Sequence, residues 1–298
     1  MTPPQDIREP LDRFLAVFRD ELSVDDTTEF YCNHRDEEGD TFLRLETHVS
    51  PKLSRVVIEE YAIRGKMRGT VIMALPRPEI DVPIFFFQLG GIGDRSIAVL
   101  DISPTARDID YTPLIPVYEK YRDQLGLEPT KAAWLQTICS PYLLHCNYAE
   151  LDTGLFMDAM DAYVQVWLEH YYRPASAIAG DSRAPVISNA IYKFKYQLHH
   201  HDPAYGIFAR AWGKPAADAF VELECGDDPA YLAPEQLESK VKPWQNRELN
   251  VLWAEDAQLL AEASSDPTAL RDVVEPAVAG AGLGIVTPEV LEQYGSPA

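Results

Sequence analysis

From about Phe30 to Leu100 the chain is a succession of short β-like runs, each closed by turn residues, and this pattern constrains the fold most strongly. The runs include Thr41-Phe-Leu-Arg-Leu-Glu-Thr-His, Arg55-Val-Val-Ile-Glu-Glu-Tyr, Gly69-Thr-Val-Ile-Met-Ala-Leu, Val82-Pro-Ile-Phe-Phe-Phe-Gln-Leu and Ser96-Ile-Ala-Val-Leu-Asp-Ile. Between them stand Gly65, Pro76, Pro78 and the stretch Gly90-Gly-Ile-Gly-Asp, so hairpins are the economical connection. A consecutive meander implies an antiparallel sheet rather than βαβ units.

Helical signals flank this region. Leu11, Phe14, Leu15, Phe18 and Leu22 recur at helical spacing behind Pro10, which suits a first turn. After Pro104 come a short helix over Pro116 to Leu125 and a long one over Leu155 to Tyr172. The long one carries Phe156, Met160, Tyr163, Val164, Trp167 and Tyr171 on one stripe. Further helical segments cover Ile187 to His200 and Asp202 to Leu223. The reading is an α+β chain: an α/β/α sandwich in which helices flank a mostly antiparallel sheet of about six or seven strands.

A composition break near Gly226-Asp-Asp-Pro divides the chain into a main domain, 1–226, and a C-terminal extension, 227–298. The extension is expected to pack helically on the domain through Leu249, Leu252, Trp253, Leu259 and Leu260. Both parts are acidic: 13 acidic against 4 basic residues from Asp227 onward, and 34 against 22 before it. A net charge of −21 repels phosphate backbones and anionic bilayers, so no nucleic-acid or membrane partner is expected. Cys32, Cys139, Cys146 and Cys225 are scattered and form no CxxC pair, which points to a reducing compartment. With no apolar run of membrane-spanning length and no signal-peptide pattern at the N-terminus, a cytoplasmic location is expected.

Few residues advertise chemistry. GxSxG, Walker A and HExxH patterns are absent. The GxG within Gly90-Gly-Ile-Gly-Asp is followed by another strand, so it reads as a hairpin turn rather than a phosphate cradle. Ser140 reads as a turn residue. Three consecutive histidines, His199, His200 and His201, point about 100° apart on a helix and cannot chelate one ion together, so no metal site is expected. They read either as a solvated helix end or as a titrating pair of His201 with Asp202 lining a pocket.

Glu59 and Glu60 interrupt an apolar strand, and with both sheet faces covered one of them must face inward. An inward carboxyl needs a partner or a retained proton, and a retained proton is what a proton donor requires. Gln88 alternates with Phe86 on one face and either presents its amide to the same space or makes a structural hydrogen bond.

Taken together, the segments resemble the ferredoxin-dependent bilin reductases. The resemblance rests on Arg55 to Thr105, with Leu75-Pro-Arg-Pro-Glu-Ile-Asp-Val-Pro-Ile-Phe and Ile97-Ala-Val-Leu-Asp-Ile-Ser-Pro-Thr. It continues in order through Tyr118-Glu-Lys-Tyr-Arg-Asp-Gln-Leu-Gly-Leu, Ile138-Cys-Ser-Pro-Tyr-Leu-Leu and His201-Asp-Pro-Ala-Tyr-Gly-Ile-Phe-Ala-Arg-Ala-Trp-Gly. It implies two-electron reduction of an open-chain, biliverdin-like tetrapyrrole with single electrons from a ferredoxin-type donor. It also implies no bound cofactor, and protons drawn from pocket side chains.

Carried over by position, the helix-side Asp of the family falls on Asp202, preceded by His201, and the strand Glu falls on Glu59, or on Glu60 with a one-residue slip. These make Asp202, His201 and Glu59 the expected catalytic residues. The central-strand Asp of many members falls on Gln88, whose amide has no dissociable proton in this range. A His of one branch is Val71 here, and propionate-holding basic residues fall on Asn147, Pro203 and Tyr205. Gln88, Glu60, Val71, Asn147 and Tyr205 are thus the expected substrate contacts. The chain also resembles a related branch, the red chlorophyll catabolite reductases, in relying on a Glu and the helix-side Asp. Two other readings stand beside the reductase: a tetrapyrrole-binding accessory protein without catalysis, and the same fold acting on another small molecule.

Overall fold

The computed structural model describes residues 8–18, 28–33, 42–63, 67–92, 95–178, 183–201 and 204–225. The expected extension, 227–298, lies outside the described residues, and with it Leu249, Leu252, Trp253, Leu259 and Leu260.

Seven strands form one sheet in sequence order, every neighbouring pair antiparallel: β1 Thr28–Asn33, β2 Phe42–His48, β3 Leu53–Ile63, β4 Met67–Pro76, β5 Ile84–Ile92, β6 Arg95–Ser103 and β7 Leu144–Ala149. This is the meander read from the sequence, extended by β7 after an excursion through helices. The central strands read as near-continuous apolar runs because both of their faces are covered.

One face packs against α1 (Glu9–Phe18), α2 (Ile115–Leu125) and α4 (Thr153–Val166). Its core is aromatic: Phe85 lies between Phe14 and Trp167, with ring centroids 5.4 and 5.9 Å away, and Phe87 stacks on Phe156 at 5.9 Å. The buried Trp167 indole donates to the carbonyl of Pro83 at 2.7 Å, which satisfies its polar atom. The other face packs against α3 (Ala133–Gln136), α5 (Ala184–His201), α6 (Ala204–Trp212) and α7 (Lys214–Cys225).

Three local departures from the sequence reading have physical causes. The helix expected over Leu155 to Tyr172 is α4 followed by a π-helical segment, Trp167–Tyr172, with an i→i+5 bond from Arg173 N–H to the Leu168 carbonyl. The wider turn moves the stripe by one residue, so Tyr172 is buried and Tyr171 is only half-buried. The segment expected over Asp202 to Leu223 is divided at Gly213, whose φ of +87° suits a residue without a Cβ. There α6 ends, α7 begins, and the two pack together as a hairpin. Finally, among the described side chains of β7 the buried ones, Leu144 and Cys146, face the first layer, so its apolar signal is sparse. Among the described residues no helix is long and apolar enough to cross a membrane.

Candidate functional site

Pairing register brings the polar strand residues together. Glu59 of β3 stands opposite Val71 of β4, Val71 opposite Gln88 of β5, Gln88 opposite Val99 of β6, and Val99 opposite His145 of β7. Residues directly opposite one another share a face, so this row points toward α5–α7. Glu59 and Gln88, two strands apart, have backbones separated by about 10 Å. Both are buried. The Thr70 hydroxyl donates to the Glu59 carbonyl at 2.9 Å and ties β3 to β4 at this row.

Over the row lies a small cavity. Its floor is Glu59, Tyr61, Val71, Phe86 and Gln88; its walls are Leu198 of α5, Ala204, Tyr205 and Phe208 of α6, and Phe220, Val221 and Glu224 of α7. The apolar walls are held by edge-on aromatic contacts, Phe208 on Tyr61 and on Phe220, each at 5.3 Å. Tyr205 is half-buried; its hydroxyl donates to Asp218 Oδ1 at 2.5 Å, and that bond to a carboxylate raises the phenol's pKa. The Lys214 ammonium also reaches Asp218, at 2.6 Å, so α6 and the start of α7 are joined by one acceptor. About 30 Å³ is open in the cavity, space for a water or two. Among the described residues no group of three His, Cys, Asp or Glu is placed to hold a metal ion.

Four of the expected residues, Glu59, Val71, Gln88 and Tyr205, therefore line one cavity. Glu60 does not. It faces the opposite side of the sheet, where Arg8 meets its carboxylate at 2.8 Å and Arg44 at 3.4 Å. The same two guanidiniums bind Glu46, Arg8 at 3.3 Å and Arg44 more closely. Burial opposes the charge of Arg8, but the hydrogen bond and charge of Glu60 outweigh it and raise its pKa above the ordinary value. Asn147 is exposed on β7, away from the cavity lining. His201 is the last residue of α5, and its side chain, like all of Asp202 and Pro203, lies outside the described residues.

The sequence reading passed over other residues of the site. Tyr61, Leu198, Phe208, Phe220 and Val221 carry only the signal of core positions, although Tyr61 shares the i, i+2 face of Glu59. Glu224 adds a second carboxyl to the lining, from the last turn of α7. Asp101 was equally unmarked. It lies fully buried on the cavity face of β6 and accepts bonds from Ser103 Oγ (2.5 Å), Ser140 N–H (2.9 Å) and Ser140 Oγ (2.5 Å). Burial pushes its pKa up against those hydrogen bonds, and it does not line the cavity. Ser140 is thus a turn residue pinned to β6. His145, at the β7 end of the row, is half-buried, which lowers its pKa.

Residues 13–223 match the family model described as ferredoxin-dependent bilin reductase. The chain is 26% identical over 162 residues to a 15,16-dihydrobiliverdin:ferredoxin oxidoreductase of Synechococcus sp. (strain WH7803), an alignment covering 50% of this chain and 67% of the relative. It is 24% identical over 187 residues to a phycoerythrobilin:ferredoxin oxidoreductase of Gloeobacter violaceus, covering 58% and 73%. Among solved structures, tomato phytochromobilin synthase in complex with biliverdin is similar in fold, with a TM-score of 0.63 and 18% identity over 72% of this chain and 81% of that one.

Proposed function

We propose that this chain, which belongs to the ferredoxin-dependent bilin reductase family, reduces an open-chain tetrapyrrole of the biliverdin type in the cavity between the sheet and α5–α7. One double bond of the ligand takes up two electrons and two protons. The electrons arrive singly from two turnovers of a ferredoxin-type donor, each donor leaving oxidised, and the protein itself needs only to bind the ligand and supply protons. The observation that carries this reading is the buried carboxyl of Glu59, aligned through Val71 with the amide of Gln88 on the cavity floor.

A proton donor must reach the ligand and be shielded from bulk water, and Glu59 has that setting. Gln88 can donate an N–H or accept a bond but cannot give up a proton, so its role is to orient the ligand's lactam or pyrrole edge. We assign Asp202 and His201 as the helix-side proton donors, because His201 ends α5, whose Leu198 lines the cavity, and Asp202 is the next residue of the chain. Tyr205 and Val71 supply contact surface. The cavity is far smaller than the roughly 300–1,000 Å³ that encloses a drug-sized ligand, so binding requires wall or floor side chains to move.

Gln88 also favours a second reading, a tetrapyrrole-binding protein that does not reduce its ligand. Adding biliverdin to the purified protein and then reduced ferredoxin decides between the two. A shifted absorption spectrum followed by bleaching of the long-wavelength band supports the reductase. A shift without bleaching supports the binder, above all if Gln88→Asp then confers reduction, and the absence of any shift rejects both.

A further inference from the structure

Tyr61 stands two residues from Glu59 on the same face of β3 and is 1% exposed. In register with it across the sheet are Gly69 of β4 and Gly90 of β5. The ring lies flat over this pair. A Cβ added at Gly69 would come within 2.3 Å of the Tyr61 hydroxyl and 2.4 Å of Cζ, and one added at Gly90 within 3.0 Å of the same hydroxyl. The ring can occupy this place only because neither strand carries a side chain there. The next row of the floor, Glu59–Val71–Gln88, carries side chains at every strand. Tyr61 is itself part of the cavity lining, against the edge of Phe208. A slot of ring thickness therefore adjoins the acid and the amide, and an aromatic side chain of the protein fills it.

We propose that Tyr61 is the specificity-determining residue of this pocket: its ring closes the glycine slot, and a planar ring of the ligand enters only where Tyr61 has left. The inference rests on the tetrapyrrole reading and adds to it the place of one ligand ring. The glycine slot accepts a flat ring laid face-on over the backbones of β4 and β5, which form its base, and rejects a branched aliphatic group. Moving Tyr61 also breaks its contact with Phe208, so wild-type affinity is reduced by the cost of that rearrangement.

The test is titration of biliverdin, followed by visible absorption, into the full-length wild type and the variants Tyr61→Ala, Tyr61→Phe and Tyr61→Ala/Gly69→Ala, with near-ultraviolet circular dichroism to check packing. Tyr61→Ala is expected to bind about tenfold more tightly than wild type, since the slot is open beforehand. Tyr61→Phe is expected within about twofold of wild type, because the ring carbons Cζ and Cε2 still cover Gly69 when the hydroxyl is gone. Gly69→Ala on the alanine background refills the slot with a Cβ and returns affinity toward the wild-type value. Should the alanine variant not fold, Tyr61→Leu keeps apolar volume without a ring and is expected to shift affinity in the same direction. A folded Tyr61→Ala (or Leu) protein that binds no more tightly than a binding wild type overturns the role of Tyr61 and leaves the tetrapyrrole reading standing. Binding by the variant alone supports the role and rejects the tetrapyrrole as the natural ligand. Binding by neither rejects both.

Discussion

Glu59 and Glu60 are neighbours in the chain, carry the same side chain and are both buried, yet they sit in opposite chemical settings. The strand's alternation sends Glu60 to the face of α1, where Arg8 and Arg44 neutralise it within a four-residue cluster that includes Glu46. Glu59 goes to the face of α5–α7, into a cavity walled by Val71, Phe86, Leu198 and Phe208. The face of α1, α2 and α4 is a stacked aromatic core bordered by carboxylates paired with arginines; the other face combines an apolar wall with two carboxyls, an amide and two phenols. A carboxyl surrounded by fixed cations contributes structure, and one that lines an apolar cavity stands where chemistry is more often placed.

The comparison can be broken through stability, and Asp101 should give the largest effect. It faces α5–α7 as Glu59 does, and its carboxylate is held by Ser103 and Ser140. Asp101→Ala leaves the Ser140 N–H buried without its acceptor and is expected to cost about 3 kcal/mol in chemical denaturation. Asp101→Asn keeps the shape and should cost less. Because burial raises the Asp101 pKa, the folded state retains a proton that the unfolded chain releases above the ordinary carboxylate value of 3.8. Stability conferred by that proton falls as pH rises through this window, and the asparagine variant should remove this part of the pH dependence.

Glu60→Gln should cost about 1–2 kcal/mol, since it removes one of the carboxylates that neutralise Arg8 and Arg44, and their partial exposure limits the loss. Glu59→Gln should change stability by less than about 1 kcal/mol, because the amide keeps the shape of the carboxyl at the border of a cavity. Equal losses in the two variants would erase the distinction between the faces. The smallest expected effect is at His145. Its pKa is lowered by burial, so below the ordinary value of 6.5 the unfolded chain binds the proton first, and stability is lost as pH falls. His145→Gln should flatten that slope in urea midpoints measured between about pH 5 and pH 8 without altering the midpoint at the alkaline end.

The meander was legible because Gly65, Pro76, Pro78 and Gly90-Gly-Ile-Gly-Asp punctuate the apolar runs, and antiparallel neighbours follow from short connections. The π-helical segment was not, since Trp167 to Tyr172 has an ordinary helical stripe, and the stacking of Tyr172 on Trp167, at 5.1 Å, is visible only in the fold. Of the site, Glu59 and Gln88 stood out as polar residues in apolar strands. The choice between Glu59 and Glu60 could not be made from alternation, because both sheet faces are covered and both carboxyls are buried. It is decided by Arg8, 52 residues away in the chain. Tyr61 and Phe208 escaped notice for the opposite reason: an aromatic residue lining a cavity has the same sequence signature as one in the core. Asp101 differs from its apolar neighbours in β6 but finds its partners at Ser103 and at Ser140, the latter 39 residues on.

The central claim is that the acid of the α5–α7 face, and not its neighbour, serves the ligand. Single-turnover reduction of bound biliverdin by excess reduced ferredoxin, compared in wild type, Glu59→Gln and Glu60→Gln, tests it directly. The account predicts that all three bind biliverdin with similar affinity. Glu59→Gln should then slow decay of the one-electron-reduced bilin about 100-fold or more, and Glu60→Gln should leave that rate near the wild-type value. Unchanged decay in a folded, ligand-bound Glu59→Gln protein would contradict the claim, as would a loss confined to Glu60→Gln.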